Sequence, residues 1–390
     1  MIAMNGPDVN RYILFAGLLL ITVSSSFLSE KEKLKYTQNA TIALGDEQKP
    51  TLVVAFSDTL DTDSLYLVKT KEGVLVHYFK NIQTEVCFDQ ECRLLEITVY
   101  WNVTGRYLGF ELPKGEFLSK HNHEPFIASE YERLNDLLAN PNLPLGHISF
   151  EKLITLPESK EESIDGVSGA TTQEVSKMVV KGAAYTTYTL WNAVYGPSKD
   201  RVQQITAKYL DAHLAVLILG SPVPTDKIWV LDRIDQSVPL DPALEGKFID
   251  LVSGEDYYLA YTTINTISKV HLGSDTLQLG LFWKYEKANH SIQKMLVQKL
   301  MEAPHLNPQI VANARSLLNQ LNGRQLGDML GLFSNHDVYD SKTLLIVSEI
   351  LKTDNRFVSG QAYKYLEDSN TSDEAIVELM NNYISSRRMH

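Results

Sequence analysis

The chain has 390 residues, with 36 Lys and Arg against 48 Asp and Glu, a formal net charge of −12 and a pI near 5.3. That length is more than one ordinary core fills and suits two domains, each able to bury a large apolar surface. The acidic balance and the absence of a Lys/Arg cluster exclude a nucleic-acid partner, because binding phosphates needs clustered cations.

In chain order, Arg11 precedes an apolar run over 12–23, and Ser24, Ser25 and Ser26 then offer small residues to a signal peptidase. Residues 1–29 therefore read as a secretory signal. An uncleaved N-terminal anchor is the alternative, although the run is shorter than the roughly 20 residues that a spanning helix needs. No Cys follows the run, so a lipoprotein anchor is not indicated. The expected location is extracytoplasmic, periplasmic or secreted. Residues 30–50 are polar, with Lys31, Lys33, Lys35, Asn39 and Asp46, and read as a linker.

From Thr51 the pattern changes to short runs rich in β-branched and aromatic residues, over 52–56, 65–68 and 74–79, with Lys71-Glu72-Gly73 as a turn. Further strands are expected over 94–101 and 106–112, joined by a turn over 102–105. Cys87 and Cys92, the only cysteines, flank a short connection between strand-like stretches. In an exported chain they read as a disulfide closing a hairpin mouth, with a modest entropic contribution because the loop is short. A metal pair is the weaker reading, since no further ligands lie nearby.

Two His and a Glu lie close together at His121, His123 and Glu124. A hydrogen-bonded loop is favoured over a metal site, and Lys120 or His123 is a further candidate for approaching a cofactor. A helix is expected over 129–138, capped by Ser129, with Leu134, Leu137 and Leu138 on one face. Residues 140–145 contain two prolines and form a loop.

The most informative segment is Asp165-Gly166-Val167-Ser168-Gly169-Ala170-Thr171, just before a helical run. Gly166 and Gly169 permit close backbone approach, while Ser168, Thr171 and Thr172 supply hydroxyls and capping chemistry. Exposed N–H groups at such a helix start favour an anion. The bland alternative is a turn followed by a capped helix. Downstream, Ala184, Tyr188, Trp191 and Tyr195 share one helical face, which is more readily explained as core than as ligand contact, although Tyr188 is retained as a cofactor candidate. Gly196-Pro197 stops the helix.

This D-G-V-S-G-A-T segment resembles the acceptor motif of FMN-binding domains in sodium-pumping quinone reductase and Rnf-type electron-transport subunits. The resemblance covers residues 51–197 and implies an α+β domain, an antiparallel sheet with flanking helices. It also implies FMN held by a phosphoester on Thr171, installed by a separate Mg-dependent flavin transferase that uses FAD. Asp165 matches the motif's leading acid. Gln173 stands where family members often carry another Ser or Thr. A hydrolase elbow is not met, because Gly166-Val167-Ser168-Gly169-Ala170 lacks its final Gly.

Over 198–390 helices are expected at 202–219, 228–234, 243–252, 256–267, 292–301, 308–321, 325–333, 341–351, 359–366 and 373–384. Their spacing suggests an all-α, HEAT-like solenoid, with a compact helical domain as the alternative. Four sequons, at Asn39, Asn102, Asn289 and Asn370, matter only in a eukaryotic secretory pathway. The reading reached is an exported redox carrier with covalent FMN, served by an unknown redox partner and with a protein partner on the helical domain. The alternative is an extracytoplasmic adaptor with a degenerate flavin site.

Overall fold

The computed structural model describes residues 34–37, 51–56, 63–84, 94–121, 123–150, 177–235, 238–252 and 255–388. Its first half is a six-stranded antiparallel sheet: β1 (Leu34–Thr37), β2 (Thr51–Phe56), β3 (Asp63–Lys69), β4 (Leu75–Thr84), β5 (Leu95–Asn102) and β6 (Tyr107–Leu112). The spatial order is β1-β6-β5-β4-β3-β2. Alternation decides the faces, as expected for strands with period two. Along β5, Leu95, Ile97, Val99 and Trp101 are buried while Glu96 is exposed. The opposite face carries a ladder in which Tyr66 stacks on Phe79 at 5.0 Å and Phe79 meets Tyr100 at 5.8 Å.

One strand lies where a linker was expected. Leu34–Thr37 pairs with β6, Leu34 opposite Leu112 and Thr37 opposite Gly109. The lysines around it are no obstacle, because this is an edge strand, where Lys is at home. Lys35 lies 3.9 Å from the buried Glu111 and 5.4 Å above the Tyr100 ring.

Two helices, α1 (Ala128–Ala139) and α2 (Ala184–Tyr195), accompany the sheet. Ser129 does not cap α1. The helix begins one residue earlier, with Ile127 at the cap position, and the Glu130 carboxylate reaches back to accept the Ile127 N–H at 2.9 Å.

The rest is helical: α3 (Pro197–Lys208), α4 (Ala212–Leu219), α5 (Pro224–Leu231), α6 (Pro242–Val252), α7 (Tyr257–Thr266), α8 (Asp275–Tyr285), α9 (His290–Met301), α10 (Pro308–Leu317), α11 (Gly323–Asn335), α12 (Ser341–Ile350), α13 (Arg356–Asp368) and α14 (Glu374–Arg388). Side-chain caps explain the regular punctuation. Asp211, Asp256, Ser274, Asn289, Asn307, Asn322, Asp340 and Asn355 each accept a first-turn backbone N–H. Asp211 also splits the single helix expected over 202–219. From α4 to α9 each helix packs on the next or the next but one, which gives two layers.

Helix α8 was not anticipated. Leu277, Leu279, Leu281, Trp283 and Tyr285 alternate as in a strand, and Gly280 interrupts them. The glycine is there because α6 passes close by: a Cβ would meet Ile249 Cδ1 at 2.2 Å.

The apolar core is continuous from Leu65 in the sheet to Ile376 in α14. Only Gly196 separates α2 from α3, and α3 packs on the sheet. The Tyr78 hydroxyl hydrogen-bonds Thr206 Oγ1 at 2.9 Å, Gln203 Nε2 donates to the Thr104 carbonyl at 2.9 Å, and the Trp101 indole donates to the Val194 carbonyl at 2.9 Å.

The strongest polar contact between the halves is at the β5–β6 turn. Gly105 adopts φ +79°, and Asn102 Oδ1 accepts the Thr104 and Arg106 N–H groups. The turn meets Asp226, 1 % exposed, at the start of α5. Asp226 accepts from Asn102 Nδ2 at 2.9 Å, the Thr104 hydroxyl at 2.8 Å, Arg106 Nε and a terminal Arg106 nitrogen, each at 3.0 Å, and the Ser221 hydroxyl at 2.8 Å. Burial opposes its charge, but the Arg106 guanidinium and the Ser221 and Thr104 hydroxyls outweigh burial and hold its pKa below the ordinary 3.8.

Asp226→Ala leaves Arg106 without its buried counter-charge and is expected to cost about 3 kcal/mol, measured by urea unfolding. Because the folded pKa is depressed, this stabilisation is complete above 3.8 and lost as pH falls through the folded value. The gap between wild type and variant should therefore be widest near neutrality and close towards pH 2. A gap that is constant with pH would show that the charge contributes nothing.

Candidate functional site

The acceptor segment with Asp165, Gly166, Ser168, Gly169, Ala170, Thr171 and Thr172 lies outside the described residues, as do Cys87, Cys92 and residues 1–29. The described chain on either side of 151–176 ends on α1 and α2. Upstream, Phe150 packs edge-on against Tyr185 at 4.9 Å and against Tyr188 at 5.6 Å. Downstream, the Arg133 guanidinium donates to the Lys177 carbonyl.

A buried hydroxyl adds two bonds to the stretch from Lys177 to Ala183. Thr187, fully buried on α2, accepts the Val180 N–H at 3.1 Å and donates to the Ala183 carbonyl at 2.9 Å. Gly182, at φ +74°, turns the chain, and its carbonyl accepts the His121 N–H at 3.0 Å. The 118–126 loop and the helix start after the acceptor segment thus share a backbone bond.

On α2, Ala184 and Trp191 are buried, while Tyr188 and Tyr195 are half-buried against the core. The Trp191 indole donates to the Asn140 carbonyl at 3.0 Å, and the Tyr195 hydroxyl donates to the Leu138 carbonyl at 2.8 Å. Burial raises the Tyr195 phenol well above its ordinary pKa against an opposing effect of Arg106, so it remains a neutral donor. Most of this face is therefore interior. Tyr188 is the member of this face in ring contact with Phe150.

Lys120 is engaged by Glu130 at 2.7 Å and Glu124 at 3.8 Å, which directs its charge to α1. His123 sits in a left-handed turn at φ +64°. His121 Nδ1 is buried, with no hydrogen-bond partner among the described residues. Among the described residues, no group of three His, Cys, Asp or Glu is placed to hold a metal, and no helix is long and apolar enough to cross a membrane.

Two arrangements escaped the sequence. The Asp226 clamp joins residues more than a hundred positions apart, so no local pattern announces it. The Thr187 hydroxyl sits in a Thr-rich helix beside the equally buried Thr186, so composition gives no sign of its bonds. Among the sequons, Asn102 is fully buried, with its amide on Asp226.

In comparisons with protein families, curated proteins and solved structures, nothing matches the chain.

Thr187→Val keeps the volume but leaves the Val180 N–H buried without its acceptor, at an expected cost of about 1–3 kcal/mol in chemical unfolding. Thr187→Ser retains the hydroxyl and should recover most of that loss. A loss in Thr187→Ser with Thr187→Val unchanged would assign the effect to packing of the methyl group.

Proposed function

We propose that the chain is an exported flavoprotein that carries FMN covalently on Thr171 and passes electrons between extracytoplasmic partners. It is a redox carrier more than a self-contained enzyme. The observation that carries this reading is the D-G-V-S-G-A-T segment, set between an antiparallel sheet and an aromatic helix. In maturation, the Thr171 hydroxyl displaces AMP from FAD on a flavin transferase, forming the phosphoester and releasing a proton. Asp165, Gly166, Ser168, Gly169, Ala170 and Thr172 surround the acceptor in sequence, and Tyr188 is the described aromatic assigned to the ring. Covalent attachment suits an exported cofactor, since a dissociated flavin would be diluted away. When bound, the flavin supplies the electron chemistry and the protein supplies its position.

The helical half is read as a HEAT-like solenoid offering a surface to a protein partner. A second reading makes the whole chain an extracytoplasmic adaptor with a degenerate flavin site. Gln173 in place of a hydroxyl residue favours it, as do the exposed aromatics Tyr258, 59 % accessible, and Trp283, 62 % accessible.

Coexpression of the full chain with a flavin transferase should give an intact-mass increase of one FMN ester and in-gel flavin fluorescence. Thr171→Ala should lose both signals, and Thr172→Ala should keep them. A wild-type chain that stays unmodified beside a positive-control acceptor protein would discard the carrier reading in favour of the adaptor.

A further inference from the structure

The helical half contains a pocket of about 350 Å³ between the end of α8 and the first turns of α9 and α11. Its floor is built by two glutamines. Gln293 Nε2 donates to the Tyr285 carbonyl at 3.0 Å, and Gln325 Nε2 donates to Gln293 Oε1 at 2.8 Å. These bonds fix the three helices relative to one another, so the cavity is a formed feature.

Its lining is rich in donors. Lys294 and Arg324 contribute two full positive charges, and the pocket lies at two helix N-termini, where the macrodipoles favour an anion. No described residue forms an ion pair or side-chain hydrogen bond with Lys294, with the Arg324 guanidinium or with Asp328. The third element is Tyr285. This residue is 3 % exposed, lines the pocket, and its hydroxyl is buried without a hydrogen-bond partner. A buried hydroxyl without a partner costs free energy that a bound acceptor would recover. Burial, and after it the charge of Asp328, pushes this phenol up to about 12, so it stays protonated as a donor. Asp328 is itself raised by burial against the opposing charges of Lys294 and Arg324, which marks it as partly desolvated.

We propose that this pocket binds a small hydroxylated phosphate monoester. The phosphate lies between Lys294 and Arg324. Tyr285 donates to one of the ligand's oxygens, and Asp328 accepts a hydroxyl of its body. Two cations match a dianionic head, and the Asp328 carboxylate beside them selects against a bare anion. The volume suits a ligand of this size and admits no folded partner. This site is independent of the flavin reading, since it uses none of the residues of the acceptor segment.

Isothermal titration calorimetry on the full chain, at fixed ionic strength, tests it with glycerol 3-phosphate, inorganic phosphate and glycerol. Glycerol 3-phosphate should bind saturably at one site per chain, inorganic phosphate several-fold more weakly, and glycerol not at all. Lys294→Ala and Arg324→Ala alter exposed positions and should each weaken the ester about tenfold, the loss expected for one charge-assisted hydrogen bond. Tyr285→Phe should weaken it to a smaller extent while leaving the fold intact. Absence of saturable binding, or unchanged affinity in both cation variants, overturns the site. Inorganic phosphate binding as tightly as the ester overturns the assignment of a hydroxylated body.

Discussion

The carboxylate of Asp226 is the constraint on which the joining of the two halves depends. It stands at the first turn of α5, yet it satisfies the polar groups of a β-turn in the sheet. A buried carboxylate is costly unless every lone pair is used, and here five donors from four residues use them. Replacing Asn102, Thr104 or Arg106 loosens the contact of sheet and helices as well as the turn. The hydrophobic core crosses the same junction without a gap, and α3 follows α2 after a single glycine. The chain passes from α2 to α3 within this packed region.

Much of the fold was legible in the residues because local rules agree with burial there. The strand over 94–101 alternates in burial, and the hairpin turns carry glycine where the backbone needs positive φ, at Gly73 and Gly105. Most helices announce themselves through an Asn, Asp or Ser cap ahead of an apolar stripe. The failures have physical causes. Leu34–Thr37 is an edge strand surrounded by lysines, so composition resembled a solvated linker. Helix α8 is covered on several sides, which erases the helical stripe and leaves an alternation that mimics a strand. Buried polar partners such as Arg106 with Asp226 are set by topology, and a local window does not contain them.

The segment proposed to carry flavin divides differently. It is a short stretch of sequence, and the described residues that flank it in the chain make the Phe150 and Tyr188 contact, the Thr187 bonds and the backbone link from His121 to Gly182. The aromatic face of α2 shows why spacing alone is a weak guide to ligand contact. Trp191 and Tyr195 spend their polar atoms on carbonyls of the α1 end and the loop after it, a structural use of side chains that also suit a flavin.

The separation in sequence between the turn and its carboxylate has a consequence for biosynthesis. Asn102 and Asp226 are 124 residues apart, an interval that takes on the order of ten seconds to translate. Throughout it the hairpin lacks the carboxylate that accepts from the Asn102 amide and the Arg106 guanidinium. Closure of the sheet's polar corner is thus a late event of synthesis, timed by the arrival of a single acidic residue.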